Sequence, residues 1–356
     1  MAQRRDGLET ALAVETGTKF GGVVTPHNPR TDEISAIVLL ERLSGNPVTE
    51  IKLWGHPECS WTKIDEFVAS GLMPIEIGDL GYQSVNLSSA AEAVVAMLGY
   101  EKEQLKPSEV NLLDMLARRN RDGYMNQFHM SLPRILKDLY DLPEYDELDL
   151  ISRFKDVVHA FLEDEDLEDS YEQDKAGSEI TQLQDLVTAT VRCQFTPLTP
   201  GRYLRDLWRR GEPADQIRVK VEFWINAWNR WQTEFRNAQH EWPRVDKLRF
   251  TFNGLDGAAA IQTANRFFPK VCFGKDQPGK VDLLIIQGPS GHTAIMTKKR
   301  NVSALFQELN NLEPGRWHLH QSAGQLINGG PMFPEITPTS LSLAQLAGLV
   351  AKFTPR

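Results

Sequence analysis

The chain predicts an α/β protein, with a parallel-sheet N-terminal domain and a smaller α/β C-terminal domain. Three observations predict it. Short runs rich in branched apolar residues alternate with helical periodicities over the first third of the chain, the pattern of a parallel sheet. An acidic block interrupts that pattern. Strand-like and helix-like runs resume near the C-terminus. With 356 residues the chain is long enough for one large or two medium domains. Hydrophobic residues make up 41% and charged residues 24%, enough for a core of ordinary size. A net charge of -9 disfavours nonspecific duplex binding by the chain as a whole and leaves room for a local basic channel.

In order, "KFGGVVT" (19–25) reads as a buried strand. "DEISAIVLLERLSG" reads as a helix, with Ile34, Ile37, Leu40 and Leu43 on one face and Gly45 as its stop. "TEIKLW" (49–54) and "MPIEIGDLG" (73–81) are the next strands. Helices follow at "SSAAEAVVAMLGY" (88–100), "SEVNLLDMLARRNRDG" (108–123) and "SLPRILKDLYDL" (131–142). Residues 161–179, "FLEDEDLEDSYEQDKAGSE", form the sharpest shift in composition. The boundary is set there: a domain over 1–160, a linker over 161–180 and a second part over 181–356. Helices are expected at 199–211 and 214–242. In the longer one Trp224, Trp228, Trp231 and Phe235 fall on one face, a core or subunit-interface stripe by periodicity, with base stacking as the alternative. "VDLLIIQG" (281–288) and "HTAIMT" (292–297) read as strands, 301–312 as a helix, and "RWHLHQSAGQLINGG" (316–330) closes the domain.

Cys59, Cys193 and Cys272 lie far apart, so reduced thiols and a cytoplasmic location are expected. The first residues lack an apolar core of the secretory kind, and no run of eighteen apolar residues suggests a membrane span. "GPSGH" (288–292) is too short for a phosphate-binding loop and lacks its lysine.

The candidate site lies in "VVTPHNPRTDEISAI". A loop leaving the C-terminal end of a parallel strand is where such sheets place ligands. His27 and Asp32, with Glu33 beside them, suit manganese, iron or zinc better than calcium. Arg30 could grip a phosphate at the following helix start. The plain alternative is a capped helix start, with Thr31 or Asp32 as cap and Glu33 as a first-turn acid. Glu76, Asp79 and Asp122 stand near later element ends. Asp122 opposes the dipole of the helix it ends, so another reason for it is welcome.

This order of motifs resembles the DHH/DHHA phosphoesterase superfamily, and within it the exonuclease family named after the melanocyte proliferating gene. "PHNPRTDE" is similar to the opening His-Asn loop through His27, Asn28, Asp32 and Glu33, with Arg30 where an acid is usual. Glu76 or Asp79 could supply the strand-end acid, with Asp79 preferred. "SSAAEAVVAMLG" resembles the serine-started helix, and Asp122 the late acid. "GRWHLHQSAGQLINGG" is similar to the C-terminal segment, through His320, Gly324, Gly329 and Gly330, and "TKKR" offers Arg300. The Asp-His-His triplet is absent: "LGYQSVNL" stands between Asp79 and the Ser88 helix.

The resemblance implies a DHH-like metal and phosphate domain and a DHHA-like substrate domain. It implies manganese or magnesium held by His27, Asp32, Asp79 and Asp122, with His27, Asp32 and Asp122 as the catalytic set. A metal-activated water would attack a phosphoester. Asn28, Arg30, Arg300, His320, Gly324, Gly329 and Gly330 would bind a substrate, a nucleotide or single-stranded nucleic acid. The missing triplet leaves three outcomes: one metal, a histidine recruited from His56 or His129, or a non-catalytic binder of the same fold. No membrane partner is expected, and a homodimer could use Trp224, Trp228 and Trp231.

Overall fold

The structure, a computed structural model, describes residues 20–56, 59–77, 87–122, 131–163, 182, 185, 198–252, 255–273, 281–297, 301–320, 324–330 and 333–352. Two compact units emerge, one over Met1–Trp54 and Glu58–Trp231, the other, smaller, over Gly55–Pro57 and Gln232–Arg356.

In the first unit β1 (Gly22–Pro26) is the central strand of a three-stranded sheet. It pairs in parallel with β2 (Glu50–Trp54) on one side and β3 (Leu72–Pro74) on the other. Gly22 makes that close pairing possible. A Cβ there would stand 2.5 Å from the Leu72 side chain and 2.8 Å from the Glu50 carbonyl oxygen. The crossovers are α1 (Thr31–Ser44) and α2 (Trp61–Ala69). Because they step in opposite directions from the central strand, right-handed crossovers put them on opposite faces. Val24 accordingly clusters with Phe67 of α2, together with Leu72 and Ile77. Side chains alternate along β1, so Val23 and Thr25 face the α1 side.

Residues 31–40 of α1 are all buried. A helix apolar on nearly every side belongs inside a protein, and its polar members then need partners. The helix ends where Gly45 turns left-handed, φ 70°. Around it stand α3 (Ala90–Met97), α4 (Pro107–Asp122), α5 (Leu132–Leu139) and α6 (Glu147–Glu163), followed by α7 (Pro200–Arg209) and α8 (Ala214–Glu241). The tryptophan stripe of α8 is core: Trp224 and Trp231 are buried, and Trp224 meets Phe154 of α6 edge-on at 5.9 Å. That burial takes Trp224 and Trp231 out of any stacking platform, while Trp228 and Phe235 stay half-buried.

The second unit holds a six-stranded mixed sheet, ordered β4 (Leu248–Phe252), β5 (Leu255–Gln262), β6 (Leu283–Gln287), β7 (Thr293–Thr297), β9 (Gln325–Asn328), β8 (His318–Leu319). Only β5–β6 is parallel, joined through α9 (Phe268–Cys272). Its core gathers Ala258, Leu283, Ile285 and Ile295 from the strands with Leu305 and Leu309 of α10 (Ser303–Leu312) and Leu346 and Val350 of α11 (Leu343–Lys352).

The mixed α/β class is the one the alternation predicts, and the expected helices and strands recur with shifted ends. Of the strand expected at 73–81, Leu72–Pro74 marks the part that pairs in the sheet, Glu76 adopts a left-handed φ of 56°, and 78–81 lie outside the described residues. Helices α2, α6 and α9 and strands β4 and β5 were not expected. The acidic block beyond Glu163 and up to residue 181 lies outside the described residues, and the division between units falls inside α8. Among the described residues no helix is long and apolar enough to cross a membrane.

Candidate functional site

The loop 27–30 leaves the C-terminal end of β1, and its neighbours fix it residue by residue. Glu147, in the first turn of α6, accepts from the backbone N–H of Asn28 and lies 3.0 Å from Nδ1 of His27. That grip holds Asn28 left-handed, φ 55°, a cost that asparagine tolerates better than most residues. The hydroxyl of Tyr140 donates to the carbonyl of Pro29 at 2.7 Å. Burial, with Glu147 and Glu33 nearby, pushes that phenol well above its ordinary range.

Arg30 and Glu33 form a closed pair. Nε and Nη2 of Arg30 donate to Oε1 of Glu33 at 2.9 and 2.7 Å, and the Arg30 backbone N–H donates to Oε2 at 2.9 Å. Glu33 is therefore the capping acid of α1. Burial pushes its carboxyl up, and Arg30 more than offsets this, leaving it below its ordinary value.

Asp32 is 1% exposed. Its oxygens accept from the backbone N–H of Ala90 at 3.0 Å, from that of Ala91 at 3.2 Å and from Nδ2 of Asn120 at 2.8 Å. It thus caps α3 from a distant part of the chain. Ser89 Oγ takes the N–H of Glu92 at 3.0 Å, and the Ser89 carbonyl takes that of Ala93. Every first-turn donor of the serine-started helix is then spent inside the protein, leaving none for an anion. Burial, and the neighbouring Glu33, raise the Asp32 carboxyl above its ordinary value.

Of the other residues singled out from sequence, Asp122 ends α4 with its side chain 55% exposed and paired to Arg121 at 3.0 Å. The residue that α4 brings to Asp32 is Asn120. Glu76 lies close enough to act on the charge of Arg30. Asp79, His129 and Arg300 lie outside the described residues, and His56 falls in the segment grouped with the second unit. In that unit His320 donates its backbone N–H to Gln325 at 3.0 Å, and the Gly324 carbonyl accepts from Thr297 at 2.9 Å. Gly329 and Gly330 follow β9 with φ of 67° and 99°. A Cβ on Gly329 would stand 2.4 Å from the His292 ring, so that glycine makes room for a side chain of the protein itself.

The described residues do not fit a divalent metal. Three of roughly four lone-pair positions on the Asp32 carboxylate already accept from protein donors. Glu33 is closed by Arg30 and Asp122 pairs outward with Arg121; His27, whose Nδ1 meets Glu147, keeps Nε2 open among the described residues, but a single imidazole nitrogen does not make a site. Among the described residues no three His, Cys, Asp or Glu side chains gather as a metal would need.

Sequence reasoning missed Asn120, Tyr140 and Glu147. Glu147 carries an ordinary signal, an acid in a helix first turn, and nothing in the sequence ties it to a loop 120 residues earlier.

No family model matches this chain, and no curated protein matches it. Among solved structures it is similar to a crystal structure of RecJ in complex with Mn2+ from Thermus thermophilus. Identity is 11% and the TM-score 0.44. The match covers 98% of this chain and 55% of that one, so the chain spans about half the length of that structure.

Proposed function

We propose that this chain is a non-catalytic member of the DHH type, binding a nucleotide or the end of a single nucleic-acid strand rather than hydrolysing it. One observation carries this reading: the Asp32 carboxylate, the acid best placed to hold a metal, caps α3 and accepts from Asn120. Pulling it away would strand three donors in a buried place, each unmade bond costing about 1 to 3 kcal/mol. The absent Asp-His-His triplet points the same way. The groups of the loop left to meet a ligand are His27 and the half-exposed guanidinium of Arg30.

The test is turnover by the whole chain with manganese or magnesium, on phosphodiester and phosphomonoester substrates, beside titration with single-stranded oligonucleotides. Binding without hydrolysis is expected. Metal-dependent hydrolysis that disappears in Asp79→Asn would restore the hydrolase reading.

A further inference from the structure

Glu147 touches the opening loop twice, and those contacts bear on where the His27 ring carries its hydrogen. An ionised carboxylate only accepts hydrogen bonds. With Oε1 accepting from the Asn28 N–H, a carboxylate Oε2 at 3.0 Å from Nδ1 of His27 is matched by a hydrogen on Nδ1. In the neutral ring Nε2 is then a lone pair. Nε2 has no hydrogen-bond partner among the described residues, and the His27 side chain keeps 21% of its surface exposed.

The charges around the loop favour the same kind of partner. Among the described residues, the carboxylates Asp32, Glu33, Glu76 and Glu147 stand about this loop together with Arg30 and Arg119. Glu33 also takes up two of the donors of Arg30. A second anionic group would meet a lone pair beside the Glu147 carboxylate, whereas a hydroxyl or amine would meet an acceptor.

We propose that Glu147 is the positioning residue of this loop: it holds His27 as the Nδ1–H tautomer, so the ligand group met there is a hydrogen-bond donor, a terminal hydroxyl or amine, rather than a phosphate oxygen. The ligand half of this inference rests on the binding function proposed above. The tautomer half does not.

The experiment joins a spectrum to a titration. Nitrogen-15 shifts of the His27 ring are recorded in the whole chain at a pH where the spectrum shows a single ring hydrogen. Hydrogen on Nδ1 is expected. In Glu147→Gln the amide oxygen can still accept from Asn28 while its NH2 faces Nδ1, so the hydrogen moves to Nε2. That exchange is a signature that mere loosening of the loop would not give. If the variant does not fold, the wild-type spectrum alone decides, and hydrogen on Nε2 there overturns the proposal. The wild type is also titrated with one single-stranded oligonucleotide carrying either a terminal hydroxyl or a terminal phosphate. A preference for the hydroxyl of about tenfold, 1.4 kcal/mol, is expected, shrinking in Glu147→Gln. A phosphate preference in the wild type overturns the ligand half. If neither strand binds, the proposed function and the ligand half fall together, while the spectrum still decides the tautomer.

Discussion

Asp32 in the first unit and Glu313 in the second are both buried acids surrounded by donors, yet their carboxyls shift in opposite directions. Glu313 follows α10 and accepts from Trp317 Nε1 at 3.0 Å, from the Thr339 hydroxyl at 2.5 Å, from the Ser340 N–H and hydroxyl, both at 2.7 Å, and from Nη1 of Arg316 at 3.3 Å. Burial opposes its charge, and those donors overcome it, pulling the carboxyl down to about 2. Asp32 has three donors, deeper burial and a second carboxylate next along the helix, and it shifts up. The lesson is that a donor count does not decide whether a buried acid keeps its charge easily. The sign follows from donors weighed against desolvation and like charge.

The largest effect should come from cutting the Glu313 knot. Glu313→Ala leaves five donors around a buried gap and should cost about 3 kcal/mol, measured by urea unfolding. Asp32→Ala should cost about 2 kcal/mol, as the loss of a buried cap and of the Asn120 bond. If it cost nothing, the carboxylate would be no cap and the proposed function would lose its support.

The two acids should also respond oppositely to pH. Glu313 is lowered, so its contribution is present above its unfolded value of 4.5 and is lost as pH falls toward about 2. Asp32 is raised, so its burial penalty grows as pH rises above its unfolded value of 3.8 and is relieved on acidification. On lowering the pH from neutral, the stability gap between wild type and Glu313→Gln should close, and that between wild type and Asp32→Asn should shift in the wild type's favour. Parallel changes in the two gaps would break the comparison. Smaller still, Tyr140→Phe removes the bond to Pro29 and should cost about 1 kcal/mol by the same unfolding measurement. Asp122→Asn, exposed at the end of α4, should leave the melting temperature unchanged within error.

Much of this was legible in the sequence where the signal is local. The α1 pattern, the Ser89 start of α3 and the Gly45 stop are contained within a turn or two of helix, and they recur where periodicity puts them. Glu33 as a first-turn acid was legible for the same reason. The identity of the group meeting Asp32 was not. Asp122 is the late acid to which the resemblance points, but α4 turns Asn120 to Asp32, a matter of helix phase that spacing alone does not settle. Glu147 and Glu313 were illegible because their partners lie elsewhere in the chain or in irregular segments, where no periodicity reports them.

One consequence concerns amide exchange at the start of α3. An ordinary helix start frays, and its first amides exchange quickly with solvent. Here the Ala90 and Ala91 amides are held by a carboxylate 58 and 59 residues earlier. They can open only when α1 and α3 part, so their exchange reports a collective separation rather than local fraying. Two alanine amides thereby become gauges of the unit's cooperativity, slow for as long as Asp32 stays in place.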